Sequence, residues 1–174
     1  MHKLKIALLT LLTLLFTACS PVPALAYPLQ GTVTYVYDGD TILLQEADTF
    51  HRIRLASIDA PEKDQPYGSE ATQFLRTLIQ NKTVLASVQD TDKYGRLIAH
   101  IYIDDREISN AMLANGYAWH LAYFDRNDPR FALHQALELQ ARKAKLGLWQ
   151  DDNPIAPWLW RTKNKNCLPM KSFT

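Results

Sequence analysis

Residues 31–60 alternate apolar and polar side chains in three short runs, and this pattern constrains the fold more than any other feature. Such alternation is typical of half-buried strands, and an Asp-Gly pair between the first two runs predicts a tight turn. In the third run, Ile53 and Leu55 fall on one face of the strand. Arg52 and Arg54 fall on the opposite face. The domain is therefore expected to begin with short antiparallel strands.

Helical and strand patterns then follow one another along the chain. A helix with one apolar stripe and Ser69 as its candidate N-cap comes first, and two further strands follow it. Two more helices close the domain, with Ser109 and Asp128 as candidate N-caps. Three strands, a helix, two strands and two helices favour an α+β fold, a five-stranded OB-fold β-barrel with three packed α-helices.

The first 26 residues have the composition of a signal peptide: a short basic region, an apolar stretch too short to span a bilayer, and small residues at 24 and 26. Cleavage there gives a mature start at Tyr27. A lipoprotein signal ending at Cys19 is the alternative, and membrane association is expected only if Cys19 is lipidated. Both interpretations predict an extracytoplasmic protein, either secreted or periplasmic, or lipid-anchored in the bacterial envelope.

The remaining chain is predicted to hold one domain, residues 27–150, and a Pro- and Asn-rich basic tail, residues 151–174, that wraps the surface or frays. Loss of residues 1–26 removes two of the 19 basic residues and none of the 18 acidic ones, so the formal net charge becomes −1. Phosphate binding must then depend on local placement of charge. Cys167 would be alone, without an internal disulfide, and a monomer is expected.

Four acidic residues cluster near the ends of the predicted strands: Asp38, Asp40, Asp59 and Glu62. If the strands are neighbours, Asp40 and Asp59 lie close together. Two carboxylates at about 3–4 Å repel and need a compensating cation. Oxygen ligands favour Ca²⁺, Mg²⁺ or Mn²⁺ over zinc, although solvated turns would explain the same residues. The spacing excludes an EF-hand loop.

Two arginines accompany these acids along the chain. Arg54 precedes Asp59, and Arg96 begins a later strand directly after a predicted turn. Either one could form an ordinary surface ion pair, which contributes little to stability. Two guanidinium groups converging on a carboxylate-bound cation would instead suit a phosphate, whose oxygens they bind bidentately.

These residues together resemble the staphylococcal nuclease (thermonuclease) family. The matching segments are DGDT at 38–41, RLASIDAPE at 54–62 and TDKYGR at 91–96, in the family's order and spacing. The later NAMLANGYAWH and ELQARKAKLGLW segments resemble the family's second and third helices. The resemblance covers roughly residues 31–150, which is nearly the whole mature domain.

The resemblance implies a calcium site and a water-organising acid. Asp40 and Asp59 correspond to the carboxylates that ligate Ca²⁺. Ala60 stands where the family often has Thr, and its backbone carbonyl would contribute to the ion. Glu62 matches the glutamate that positions the attacking water.

The resemblance also implies residues that contact the substrate. Arg54 and Arg96 match the arginines that bind the scissile phosphate and stabilise its transition state. Lys93 and Tyr94 match contacts to a terminal phosphate of the nucleotide, and Tyr123 matches a tyrosine that packs near it. The connector between Glu62 and the first helix is shorter than in the family's type member, with an effect on affinity, rate or preference that the sequence leaves open.

The implied function is a secreted or envelope-associated Ca²⁺-dependent nuclease that hydrolyses DNA, RNA or both with low sequence specificity and leaves 3′-phosphate ends. One alternative is a non-catalytic OB-fold protein that binds nucleic acid without cutting it. Another is a structural surface lipoprotein stabilised by calcium. The second alternative leaves the two arginines beside the acids unexplained.

Overall fold

A computed structural model describes residues 27–123 and 126–166 of the chain. The signal-peptide prediction, including Cys19, lies outside the described residues, as does Cys167. Within the part of the chain that is described, no helix is both long and apolar enough to cross a membrane.

Eight strands and four α-helices are found among the described residues. The strands are β1 Tyr27–Val36, β2 Thr41–Glu46, β3 Thr49–Leu55, β4 Ile58–Asp59, β5 Thr83–Thr91, β6 Leu97–Ile103, β7 Arg106–Glu107 and β8 Trp119–His120. The helices are α1 Gly68–Ile79, α2 Ile108–Ala114, α3 Phe131–Lys143 and α4 Pro157–Asn166, with a 3-10 turn at Gly147–Gln150.

The five long strands close into a barrel, which confirms the predicted α+β, OB-like fold. Strand β1 pairs antiparallel with both β2 and β5, and β5 pairs antiparallel with β6. Strand β3 pairs with β2 on one side and runs parallel to β6 on the other, where Arg54 lies opposite Ile98. Because β3 joins both edges, the ladder has no open side at this point, and the end of β3 is held rigidly.

The barrel interior and the helices share one hydrophobic core. Ile53 and Leu55 of β3 are buried in it, as the alternation predicts, while Arg52 on the other face is exposed. Helix α1 contributes Ala71, Leu75 and Ile79 from its apolar stripe. The core therefore fixes the register of β3 and, with it, the side on which its arginines emerge.

A second, smaller cluster lies beneath the end of α3. It consists of Ala141, Leu148 and Trp149, with Trp119 packed against it. The ring of Trp119 lies 4.4 Å from that of Trp149, edge to face. The guanidinium of Arg142 stacks 3.7 Å from the Trp149 ring centre. Trp149 is thus a packing residue, as its position at a helix end suggests.

All three predicted N-caps are wrong. Ser109 lies inside α2, whose N-cap is Glu107, and its hydroxyl donates to the Ala56 carbonyl at 3.0 Å. Ser69 lies within the first turn of α1, because the chain enters the helix through Tyr67, a left-handed residue with φ of 66°. Asp128 precedes α3 without capping it: its side chain accepts the Arg130 backbone N–H at 2.8 Å, and the helix begins three residues later than Asp128. Within the predicted tail, residues 157–166 form an additional helix, α4, that the sequence pattern did not predict.

Candidate active site

One cleft of about 1460 Å³ lies at the end of the barrel where β2, β3 and β6 meet. Its volume exceeds the roughly 300–1,000 Å³ of ordinary small-molecule pockets, so it can hold a segment of a polymer. Every predicted site residue lines it: Asp40, Arg54, Asp59, Ala60, Glu62, Lys93, Tyr94, Arg96 and Tyr123.

The turn between β1 and β2 places Asp40 in the cleft. The Tyr37 N–H donates to the Thr41 carbonyl at 2.8 Å, and the Asp40 N–H donates to the Asp38 carboxylate at 3.1 Å. Gly39 is needed here for close approach, because a Cβ at this position would lie 2.6 Å from the Cβ of Ala60. Asp38 and Gly39 therefore build the turn, and the second acid is left to face inward.

Arg54 joins the acids of two different strands. Its Nη1 donates to both carboxylate oxygens of Asp40, at 3.0 and 2.9 Å, and its Nη2 donates to Asp59 at 2.9 Å. Asp40 is 4% exposed and Asp59 is 1% exposed. The predicted proximity of Asp40 and Asp59 is therefore real, and a guanidinium lies between them.

The charge balance around Asp40 is unfavourable to its ionised form. Burial raises the pKa of Asp40 to about 7, although Arg54 acts to lower it, and the nearby charges of Asp38 and Asp59 raise it further. Hydrogen bonds from the Ala60 N–H at 3.0 Å and the Thr41 hydroxyl at 2.9 Å favour the carboxylate. Additional positive charge at this point would stabilise the ionised site.

Glu62 is positioned by the short connector that leads into α1. Its backbone N–H donates to the Gln65 side chain at 3.2 Å, and the Gln65 N–H donates to the Glu62 carbonyl at 2.9 Å. Gly68 packs against that carbonyl so closely that any Cβ would collide with it. The connector is therefore compact, and it holds the half-buried Glu62 side chain at the cleft beside Asp59.

Arg96 lines the same cleft but is bonded to a different acid. Its Nε donates to Asp92 at 2.7 Å, and the other Asp92 oxygen accepts the backbone N–H groups of Tyr94 and Arg96. Burial acts to raise the pKa of Asp92, but these hydrogen bonds outweigh it and the pKa is lowered. The structure thus brings Arg96 to the cleft on a rigid turn, without contact to Asp40 or Asp59 among the bonds described for it.

The residues predicted to contact the substrate lie at the exposed edge of the cleft. Lys93 lies 5.1 Å from the ring centre of Tyr94, which is 71% exposed. Tyr123 is 77% exposed and lines the same cleft. Exposed aromatic faces next to cations are suited to stacking with bases.

The donors fit a hard cation in kind, since Asp40, Asp59, Glu62 and the nearby backbone offer only oxygen. In the arrangement described for residues 27–123 and 126–166, however, no group of three or more Asp, Glu, His or Cys side chains could hold a metal ion. In this arrangement guanidinium groups bind the carboxylate oxygens of Asp40 and Asp59.

Arg161 of α4 is the site residue that the sequence reasoning missed. Its Nη2 donates to Asp59 at 2.7 Å, and its Nη1 donates to Glu62 at 2.7 Å and to the other Asp59 oxygen at 3.1 Å. Trp158, from the first turn of α4, lines the cleft as well. The only local signal is the pattern of Trp158, Trp160 and Arg161 in an otherwise polar tail, which indicates an anchored segment.

Comparison with known proteins identifies the family of the chain that carries this cleft. A sequence model of the family described as staphylococcal nuclease homologue matches residues 52–151. The chain belongs to the staphylococcal nuclease family. An uncharacterized endonuclease of Escherichia coli O157:H7 is 38% identical to it over 140 residues, covering 80% of this chain and 89% of the relative.

Two further relatives of the staphylococcal nuclease family are informative. A micrococcal nuclease of Shigella flexneri is 37% identical over 155 residues, covering 83% of this chain and 87% of the relative. The probable staphylococcal-like nuclease CAN2 of rice (Oryza sativa subsp. japonica) is 43% identical over 116 residues, covering 67% of this chain and 30% of the relative. This member of the family is therefore a nuclease, an enzyme that hydrolyses phosphodiester bonds, and nucleic acid is its substrate.

Proposed function

We propose that this nuclease is a Ca²⁺-dependent, extracytoplasmic enzyme that cleaves DNA, RNA or both with low sequence specificity and acts as a monomer. The observation that carries the proposal is the pair of buried carboxylates, Asp40 and Asp59, meeting in one cleft with Glu62, Arg54 and Arg96. Burying carboxylates costs desolvation energy even when they are paired with arginines, and a functional site accounts for them.

The side chains of Asp40 and Asp59 and the carbonyl of Ala60 would hold the ion. When bound, Ca²⁺ supplies Lewis-acid stabilisation of charge on a phosphate oxygen. Its charge would also offset the burial of Asp40 and the repulsion from Asp38 and Asp59, which together raise the pKa of Asp40.

The chain's own residues supply the remaining requirements of phosphodiester hydrolysis. Arg54 and Arg96 offer fixed N–H donors to the phosphate oxygens on which negative charge builds, and loss of one such donor typically costs about 10² to 10³ in rate. Glu62, half-buried at the cleft, accepts hydrogen bonds from the attacking water and orients it toward phosphorus.

The substrate preference follows from the kinds of contact available. Lys93 would bind a terminal phosphate, and Tyr94 and Tyr123 would stack with bases or sugars. Phosphate contacts and stacking carry little sequence information, so broad cleavage of single-stranded regions is expected.

The test is digestion of single- and double-stranded DNA and RNA by the chain starting at Tyr27, in millimolar Ca²⁺ or in chelator, with analysis of the ends and with light scattering for mass. Asp40→Asn is expected to lose at least about 10²-fold in rate, since the variant cannot contribute an ionised oxygen. Asp90→Asn is the matched control, because Asp90 is an exposed acid that lines the same cleft. Activity of Asp40→Asn equal to that control, or equal cleavage in chelator, would contradict the proposal.

The proposed location has a separate test. Export is supported by the signal-like composition of residues 1–26. Fractionation of cells producing the full chain, with Cys19→Ser as the comparison, should place both proteins outside the cytoplasm. Only the chain with Cys19 would be found in the membrane if it is lipidated, and retention of both in the cytoplasm would disprove export.

A further inference from the structure

Arg161 of α4 binds the acids at which the proposed cation would be held. It makes three hydrogen bonds of 2.7–3.1 Å to Asp59 and Glu62, in a planar bidentate arrangement with Asp59. The Asp59 side chain is 2% exposed, so it has little access to water, and its other neighbour is Arg54 at 2.9 Å. Two guanidinium groups therefore bind Asp59, and both of its oxygens accept hydrogen bonds from them.

Helix α4 is attached by a few contacts around its beginning. The Gln65 side chain donates to the Ile155 carbonyl at 2.5 Å, and the Trp160 indole donates to Asp64 at 3.2 Å. The ring of Trp158 lies 5.6 Å from that of Trp119. Even so, Trp158 is 40% exposed and Leu159 is 57% exposed. Such an element can leave its position without disturbing the barrel core.

A divalent cation at Asp59 would compete with Arg161 for the same carboxylate oxygens. The guanidinium already takes both of them, and two positive groups within about 4 Å repel each other strongly in a poorly hydrated cleft. The Asp59 side chain is too deeply buried to rotate its carboxylate away from Arg161 and toward a cation. Binding of a divalent cation to this carboxylate therefore favours release of Arg161.

We propose that Arg161 is an internal counter-ion of the active site, which holds Asp59 and Glu62 while no divalent cation is bound and is displaced, together with α4, when one binds. This rests on the proposed Ca²⁺ dependence. Displacement frees Glu62 to orient water and removes Trp158 from the wall of the cleft. The apparent affinity for Ca²⁺ is the intrinsic affinity multiplied by the fraction of molecules in which Arg161 is not bound to the acids.

The first test is calorimetric titration of Ca²⁺ into three proteins without nucleic acid: the wild type, Arg161→Gln and Lys163→Gln. Lys163 is the matched control, because it is exposed on the same helix and its replacement removes the same charge. Arg161→Gln is expected to bind Ca²⁺ about tenfold or more tightly than both others. Its unfolding temperature without Ca²⁺ should be lower, with a larger rise on adding Ca²⁺.

The second test needs no variant. In the wild type, hydrogen exchange of the peptide covering 157–166 should become faster when Ca²⁺ is added, while exchange in β2 and β3 becomes slower. Exchange in α4 that is unchanged or slowed by bound Ca²⁺ would overturn the proposal, even if Arg161→Gln failed to fold.

The remaining outcomes separate this proposal from the proposed function. If Ca²⁺ binds the wild type and Arg161→Gln equally, Arg161 is not a competitor and the Ca²⁺ dependence stands. If it binds neither, both proposals are wrong. If Arg161→Gln weakens binding of a nucleoside 3′,5′-bisphosphate and leaves Ca²⁺ affinity unchanged, Arg161 is a phosphate ligand and the counter-ion role is disproved.

Discussion

At the scale of single residues, Arg54 has two roles that conflict. Its guanidinium neutralises Asp40 and Asp59 across the ends of β2 and β4, which makes it structural. Its proposed catalytic role requires the same donors to turn toward a phosphate. A cation bound to Asp40 and Asp59 would release the N–H donors of Arg54. Whether Arg54 binds the acids or a phosphate therefore depends on whether a cation is bound to the two carboxylates.

Replacing Arg54 with Met should destabilise the fold as well as stop cleavage. Two buried carboxylates would lose a counter-charge, and breaking a buried pair from one side typically costs about 3–5 kcal/mol. Urea unfolding in chelator measures this. Arg52→Met is the control on the same strand: Arg52 is exposed, with its guanidinium 4.6 Å from the Tyr37 ring centre, and about 1 kcal/mol or less is expected. Equal midpoints for the two variants would show that Arg54 does not hold the acids together.

At the scale of elements, a buried polar network ties the strands to the helices. Glu107 of β7 is bonded to His100 of β6 at 2.6 Å, and His134 of α3 lies 3.6 Å from its other oxygen. Burial acts to raise the pKa of Glu107, but the hydrogen bonds and charges of the two histidines outweigh it and lower the pKa to about 2. The wall of the cleft near His100 therefore depends on an ionised carboxylate.

The lowered pKa predicts how stability varies with pH. Because the pKa of Glu107 falls from 4.5 to about 2 on folding, the folded chain binds fewer protons than the unfolded chain in this range. The stabilisation from this group, on the order of 3 kcal/mol, is present above pH 4.5 and is lost as the pH falls toward 2.

Glu107→Gln should therefore be less stable than the wild type at pH 7, and the difference should shrink below pH 4.5. Urea unfolding at a series of pH values measures it. Asp104→Asn, a change at an exposed turn position, serves as the control and should show no such trend. A difference between Glu107→Gln and the wild type that stays constant down to pH 2.5 or so would mean that Glu107 is not preferentially ionised in the folded state.

At the scale of the whole molecule, charge does not draw the enzyme to nucleic acid. The full chain has a formal net charge of only +1. The cleft is lined by about as many acidic side chains as basic ones. Attraction must therefore come from a few cations at defined places, chiefly Arg54, Lys93 and Arg96. Few contacts to phosphate imply a weak dependence of binding on salt.

Binding of single-stranded DNA to the Asp40→Asn protein should show this directly. With two or three phosphates neutralised, the slope of log affinity against log salt should be about −1.4 to −2.1, and Lys93→Gln should reduce it by about 0.7. Lys163→Gln is a control outside the phosphate-binding residues and should leave the slope unchanged. Fluorescence anisotropy over a range of salt concentrations measures it, and a slope that Lys93→Gln does not alter would remove Lys93 from the phosphate-binding set.

The sequence by itself determined the features that depend on residues close to one another along the chain. Alternation identified the face of β3 that carries Arg54, and the turn chemistry identified Asp40 as an acid beyond the needs of its turn. Ends of neighbouring strands meet in space, so the pairing of Asp40 with Asp59 could be expected as well. Side-chain periodicity acts over a few residues, and these features therefore survive any reasonable packing of the barrel.

Only the tertiary structure decided which side chains share the cleft across long separations. Arg161 lies 102 residues from Asp59 in sequence, and nothing local specifies that they meet. The entry into α1 through Tyr67 likewise depends on how the connector fits the finished barrel. Such contacts form only when a core has fixed the positions of both partners, because the energy of one ion pair is too small to choose a fold.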